Sequence, residues 1–323
     1  MLISTLLAIP LSIVQAAPVP QEQPKLPAGV KLERDIPYIA NGDEAQRLDL
    51  YFPEQAPEKA LPLIVHIHGG GRIGGSRYPC PFTRMVSKGY VVASIGYRFS
   101  QKAKFPAQIQ DCQAAIRWLR ANSAKYSIDP DRVGVAGGSA GGHLSALVGT
   151  AGGKNAFSPI GEHQDQSDCV QCVLDIFGPT NFATVIRQAE EDKNVKNIFK
   201  FNTPSDPYSS LIGMDLDADA TKTSSVSPVH YVSKQSPPTL ILHGTHDALV
   251  PYAQSEEFYS ALKEQGVEVW FQRIPGAGHG GPVFNHPKII DLMTNFFDKT
   301  LNGTGNEFRL IPEAEIAQTP AKP

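Results

Sequence analysis

The chain has 323 residues, 41% of them hydrophobic and 19% charged, with a formal net charge of -3. That length and apolar content support a large buried core and suit one large α/β unit, while the faint acidic balance offers no electrostatic footprint for nucleic acid. Charges are scattered without long like-sign runs and no internal repeat is visible, so neither a charged disordered tail nor a solenoid organises the chain.

Residues 1–17 are apolar through Leu6, Leu7, Ile9, Leu11, Ile13 and Val14 and end in small residues after Gln15. This is the pattern of a secretory signal peptide with cleavage after Ala16, which predicts a secreted or periplasmic protein. The stretch is too short and Pro-interrupted for a stable membrane span. A Pro-rich linker follows over 18–30, and the main domain is expected over 31–301.

From Lys31 to Tyr38 and from Arg47 to Phe52 the chain reads as an antiparallel edge pair, with Asn41-Gly42 as the turn signal. Leu63 to Ile67 is a continuous apolar run, as in a strand covered on both faces. Pro81 to Lys88 is expected as a short helix and Tyr90 to Tyr97 as a strand. Phe105 to Ala121 is a helix with Ile109, Cys112, Ile116 and Leu119 on one face. Arg132 to Thr150 reads as strand, sharp turn, helix. Further strands are expected at Val170 to Phe177, Thr239 to His243 and Val267 to Ile274, with helices at Tyr252 to Gln265 and Pro287 to Leu301. The alternation predicts an α/β fold, a mostly parallel, doubly wound sheet with ligands beyond the carboxyl ends of its strands. One interval, about 178–236, carries little strand signal and reads as a small cap inserted over that rim. Residues 302–323 form a polar tail expected to decorate the surface.

The chemistry gathers in loops at the strand ends. Gly137-Gly138-Ser139-Ala140-Gly141 matches the G-x-S-x-G nucleophile elbow. Gly137 and Gly141 are needed because the serine sits in a strained backbone at the apex, where a neighbouring Cβ would collide. After the Leu63 to Ile67 strand stands His68-Gly69-Gly70-Gly71, in which bare backbone N–H groups can approach an oxyanion. Gly70, Gly71 and Ala140 are the expected donors, and His68 is expected to fix the loop by hydrogen bonding. A serine hydroxyl needs a histidine to take its proton and a carboxylate to orient that histidine. Asp247, in "HGTHDALVP", and His279, in "IPGAGHGG", supply both in the chain order Ser, acid, His, each after a separate strand.

Asp175 is the competing acid, although it precedes its strand end. His246 faces away from any loop that presents Asp247, and His66, His143 and His243 fall inside predicted elements, where satisfied core histidines are common. His163, His230 and His286 have no partner recognisable from spacing. Cys169-x-x-Cys172 lacks the second pair a zinc site needs. The four cysteines suit an exported protein, with three pairings possible and Cys80 to Cys112 the preferred one, against the reading that all four are small buried hydrophobes.

The blocks "HIHGGG", "FPAQIQDCQAAIRWLRANSAKY", "DPDRVGVAGGSAGGHLSALVGT", "FGPT", "SPVHYVS", "LILHGTHDALVPY" and "PGAGHGG" together resemble the α/β-hydrolase fold. Within it they resemble the hormone-sensitive-lipase-like branch and its bacterial esterases of the acetyl xylan and feruloyl esterase type. The resemblance spans about Leu61 to Phe297. It implies a serine ester hydrolase with Ser139, Asp247 and His279 as triad, an oxyanion site in the His68 loop, no cofactor or metal, and a small-molecule or oligosaccharide ester as substrate. Two positions depart from the pattern: Arg72 stands where relatives carry an aromatic, and Asn181 where they carry an acid, both expected to bear on the substrate pocket. An amidase or peptidase, a general short-chain or polyester esterase, and a non-catalytic scaffold of the same fold are the alternatives.

Overall fold

The computed structural model describes residues 26–317, apart from 194, 204 and 305–307. The expected signal peptide at 1–17 and the linker as far as 25 therefore lie outside the described residues. Eight strands form one sheet in the order β1-β2-β4-β3-β5-β6-β7-β8. The strands are β1 (Val30–Pro37), β2 (Arg47–Pro53), β3 (Leu61–Ile67), β4 (Val91–Ile95), β5 (Ile128–Gly138), β6 (Cys172–Ile176), β7 (Thr239–Gly244) and β8 (Val269–Ile274). β2 pairs antiparallel with both β1 and β4, and every pairing from β4 to β8 is parallel.

Period-two alternation puts successive residues of the central strands on opposite faces. Leu63, Val65 and Ile67 of β3 join Val133 and Val135 of β5 in a core shared with α1 (Ala107–Ala121) and α2 (Ala140–Ala151). Ile64, Ala136, Leu240 and Leu242 face the other way, onto α7 (Pro287–Asn302) and a 3-10 turn at Thr83–Lys88. Because both faces are covered, these strands are apolar throughout, and each fully buried Leu, Ile or Val contributes about 1.5–3 kcal/mol. α6 (Ala253–Glu264) closes the α2 side near β7 through Phe258 and Leu262.

The interval 178–236 holds α3 (Val185–Glu191), α4 (Pro207–Ile212), α5 (Ala220–Ser225) and a 3-10 turn at Pro228–Tyr231, with no strand among its described residues. α4 and α5 start at Asp206 and Asp219, whose carboxylates accept N–H groups of the first turn.

Three expectations need correction. Cys80 and Cys112 are both unbridged and buried, in clusters on opposite faces of the sheet, so the sheet itself separates them. All four thiols are free. The tail is more than surface decoration: Phe308, Ile311 and Ile316 pack against the core beside β8, and α8 (Glu313–Ala317) ends the described chain. There the buried Gln272 side chain accepts from the Ile311 N–H at 2.8 Å and donates to its carbonyl at 3.2 Å, covering the exposed edge of the sheet. At the other end, Leu26 of the expected linker packs on the same core. Non-reducing digestion followed by mass spectrometry should yield Cys80 and Cys112 in separate peptides; a linked pair would contradict this placement.

Candidate active site

β5 runs to Gly138 and α2 begins at Ala140, leaving Ser139 alone at the junction with φ 58° and ψ -122°. A non-glycine residue in that region is strained and persists only where its surroundings enforce it. The enforcement is backbone against backbone. A Cβ on Gly141 would lie 2.0 Å from the Ile67 carbonyl oxygen, and one on Gly137 would lie 2.4 Å from the Gly141 backbone. Two glycines thus let the turn press against the end of β3 and lift the Ser139 hydroxyl clear.

Two further loops converge on that hydroxyl. His279 stands after β8, its Nε2 2.8 Å from Ser139 Oγ and its Nδ1 2.6 Å from Asp247 Oδ2. Asp247, after β7, is acceptor-only when ionised, so Nδ1 carries the imidazole proton and Nε2 is free to accept from the serine. Asp247 Oδ1 accepts the N–H groups of Leu249 at 2.8 Å and Val250 at 2.9 Å. Burial raises the energy of this carboxylate, but hydrogen bonds from His243 and His279 outweigh it and hold Asp247 well below the usual carboxylate range.

The residues expected to bind an oxyanion also gather here. Gly69, Gly70, Gly71, Ser139, Ala140 and His279 all border one cavity of about 530 Å³. Gly70 has φ 108° and Gly71 φ 64°, and a Cβ on Gly70 would meet the Gly74 carbonyl oxygen at 2.3 Å. The loop is closed by Ile73 and Gly74 N–H groups donating to Gly70 O, leaving the Gly70 and Gly71 N–H groups without a protein acceptor among the described residues. The Ala140 N–H belongs to the first turn of α2, where no intrahelical acceptor exists. His68 Nδ1 donates to Gly69 O at 2.8 Å, its ring stacks on Tyr97 at 4.4 Å, and the Tyr97 hydroxyl donates to His68 O. Burial keeps that imidazole neutral by lowering its pKa. His68 holds the loop in shape and does not touch Ser139.

The competing acid is placed elsewhere. Asp175 lies inside β6, paired in register with Gly137, and its Oδ1 accepts the Gly178 N–H at 2.9 Å. It is fully buried, its Oδ2 has no partner, and burial raises it to about 7. His66 and His143, also buried, are lowered to about 3 by desolvation. His246 pairs with Thr245, its neighbour in the chain.

Two contacts escape sequence reasoning. His243 Nε2 lies 3.1 Å from Asp247 Oδ2 and 3.2 Å from Val250 O, while its Nδ1 faces Ser255 Oγ at 2.7 Å. Its Nε2 must therefore be a donor, and Asp247 Oδ2 is held between two histidines. The only sequence hint is the i, i+4 spacing, which a strand followed by a turn does not make a contact. Phe177, at φ 45°, leaves β6 and sets its ring 4.5 Å from His279. Asn181, contrary to expectation, does not border the cavity: its side chain donates to Glu257 and tethers the 178–236 interval to α6. Arg72 does border it. Among the described residues no cluster of three or more His, Cys, Asp or Glu could hold a metal ion, and no helix is long and apolar enough to cross a membrane.

An aspartate that titrates at about 7 when folded keeps its proton while the unfolded chain has already released it near pH 4. The contribution of Asp175 to stability therefore falls as pH rises from about 4 to about 7, then levels off. Asp175→Asn, which removes that ionisation, should gain stability relative to the unaltered protein by on the order of 2–4 kcal/mol more at pH 8 than at pH 4. Urea midpoints at the two pH values measure it; an increment independent of pH would contradict the assignment.

The BD-FAE family model matches residues 48–262. Esterase LipQ of Mycobacterium tuberculosis is 34% identical over 76% of this chain and 56% of its own length, and Esterase LipC of the same organism is 30% identical over 81% and 64%. The chain thus spans a little over half to just under two thirds of these curated relatives. A solved structure of a truncated carbohydrate esterase from gut microbiota is similar with a TM-score of 0.76 at 30% identity, covering 84% of this chain and 96% of that one. A bifunctional GH43-CE protein of Bacteroides eggerthii matches with a TM-score of 0.74 at 31% identity, over 84% of this chain and 35% of that one. The chain belongs to the BD-FAE family, a hormone-sensitive-lipase-like esterase family with the α/β-hydrolase fold.

Proposed function

We propose that the protein is a serine carboxylesterase in which Ser139, His279 and Asp247 are catalytic. The observation that carries this reading is the unbroken hydrogen-bonded chain from Ser139 Oγ through His279 to Asp247, open to a cavity that also receives the Gly70 and Gly71 amides. Ser139 Oγ adds to the ester carbonyl while its proton passes to His279 Nε2. The carbonyl oxygen takes up the negative charge and is held by the N–H groups of Gly70, Gly71 and Ala140. His279 then protonates the leaving alcohol, the acyl–serine bond remains, and water repeats the sequence to release the acid. Asp247 stays ionised and orients the imidazolium.

The cavity walls are mostly apolar, with Phe82, Met85, Phe177, Phe284 and Met293 among them. At about 530 Å³ the space admits an acyl group the size of acetyl to hydroxycinnamoyl with part of its alcohol. The likeness to a carbohydrate esterase, and to an acetyl ester-xyloside bifunctional hydrolase of Caldicellulosiruptor lactoaceticus at a TM-score of 0.65, supports acetyl or feruloyl groups on polysaccharide fragments as the substrate class. Export, supported by the apolar run over 1–17, would bring the protein to such substrates.

Hydrolysis of p-nitrophenyl acetate, methyl ferulate and acetylated xylan tests this directly. Ser139→Ala should keep the fold and lower kcat by about 10⁴ or more; activity near that of the unaltered protein would place the nucleophile elsewhere. Asp247→Asn should cost about 10³–10⁴ in kcat, because it favours the wrong imidazole tautomer. His243→Phe removes one of the donors to Asp247 and should lower kcat/KM by about tenfold, with His243→Gln recovering part of the loss. No loss on His243→Phe would reduce that histidine to packing.

A further inference from the structure

Arg72 follows the last glycine of the oxyanion loop, has a left-handed backbone at φ 63°, and is 2% exposed although it borders the active-site cavity. Among the described residues its guanidinium makes no direct ion pair. One terminal nitrogen, Nη1, lies 3.4 Å from His143 Nδ1, a long contact to an imidazole whose own Nε2 donates to Val226 O. The rings of Phe182 and Tyr208 lie 5.4 and 5.5 Å from the guanidinium carbon. Its Nε is buried with no partner, and no carboxylate of the described residues forms an ion pair with it. Asp206 is near enough for its charge to bear on Arg72, yet its oxygens accept from Tyr208 N–H, Ser209 N–H, Ser209 Oγ and Asn202 N–H.

A buried cation without a direct ion pair is costly, and aromatic faces and the more distant Asp206 carboxylate recover only part of that cost. The second polar group at this end of the cavity is in the same condition: Tyr208 is buried, borders the cavity, and its hydroxyl has no partner. Two donors without acceptors, Arg72 Nε and the Tyr208 hydroxyl, beside a cavity whose walls are mostly apolar, describe a site whose acceptor arrives with the ligand. A guanidinium presents a planar fork matched to a carboxylate, and so favours that group over a neutral oxygen.

The geometry points to Arg72 and Tyr208 as a carboxylate-recognition subsite, so that the preferred ester carries an anionic carboxylate, either on its acyl half or on its alcohol half. This rests on the ester-hydrolase reading and narrows its substrate class. The carboxylate pairs directly with Arg72, and a neutral ester of equal size leaves that guanidinium without a direct ion pair. Discrimination is therefore written into the unliganded pocket.

The test has an acyl arm, mono-p-nitrophenyl glutarate against p-nitrophenyl valerate, and an alcohol arm, acetylated glucuronic acid against acetylated glucose. In one arm the unaltered protein should show kcat/KM at least about tenfold higher for the anionic member, which also identifies the half that carries the charge. Arg72→Met should abolish that ratio mainly through KM, and Tyr208→Phe, which deletes only an unpaired hydroxyl, should reduce it by about threefold. Independently of turnover, glutarate should raise the melting temperature more than 1,5-pentanediol does, and Arg72→Met or, if that variant does not fold, Tyr208→Phe should diminish the difference. Turnover of neutral esters without preference in either arm, an equal loss for neutral and anionic esters in Arg72→Met, or no glutarate stabilisation would overturn the subsite. Failure to hydrolyse any ester while glutarate still stabilises the protein through Arg72 would instead overturn the esterase reading alone.

Discussion

The close approach of three backbones around Ser139 is the constraint on which the rest depends. The end of β3, the end of β5 and the first turn of α2 meet at separations where a Cβ on Gly141 would stand 2.0 Å from Ile67 O and one on Gly69 would stand 2.9 Å from Gly138 O. Only glycine permits contacts that short. The same approach that strains Ser139 also carries the Gly70 and Gly71 amides to the cavity wall, because their loop leaves β3 directly. The position of Ser139 and that of the Gly70 and Gly71 amides are thus two consequences of one packing arrangement.

Burial alone does not decide what a carboxylate does in this fold; its donors do. Asp175 and Asp247 are both buried away from water. Asp247 accepts from two imidazoles and two amides and stays ionised. Asp175 accepts one amide and is pushed up to about 7. The difference arises from the two imidazoles, His243 and His279, that donate to Asp247, whereas Asp175 is still inside its strand and has only the amide of Gly178 within reach.

The interval 178–236 supplies the side of the cavity that the sheet cannot. Phe199, Pro207 and Tyr208 form wall, and Phe182 packs under Tyr208 and against Arg72. Its anchoring is polar: Gln254 of α6 accepts from the Thr180 and Asn181 N–H groups, and Glu257 holds Asn181, Thr184 and Gln188. The proposed catalytic residues thus stand at the strand ends, while part of the cavity wall stands on a segment tied down through α6, which allows one to vary without the other.

The apolar β-runs, the glycines at 69–71, 137 and 141, and the order of Ser139, Asp247 and His279 were readable from the sequence because each reflects a local demand: a strand covered on both faces, a turn that excludes Cβ, a residue placed after its strand. What the sequence could not decide were contacts made across the sheet or between distant segments. The separation of Cys80 from Cys112, the covering of the β8 edge by the tail, the second histidine on Asp247 and the turning of Asn181 toward α6 all depend on which face or loop a residue meets. That is settled by strand order and by the path of the chain after each strand, over sequence separations that carry no local signal. The charge of Arg72 was visible in the sequence. Only the tertiary structure decided that it would be buried beside the cavity with no direct ion pair among the described residues, since the aromatic rings that enclose it come from the interval 178–236, more than a hundred residues further along the chain.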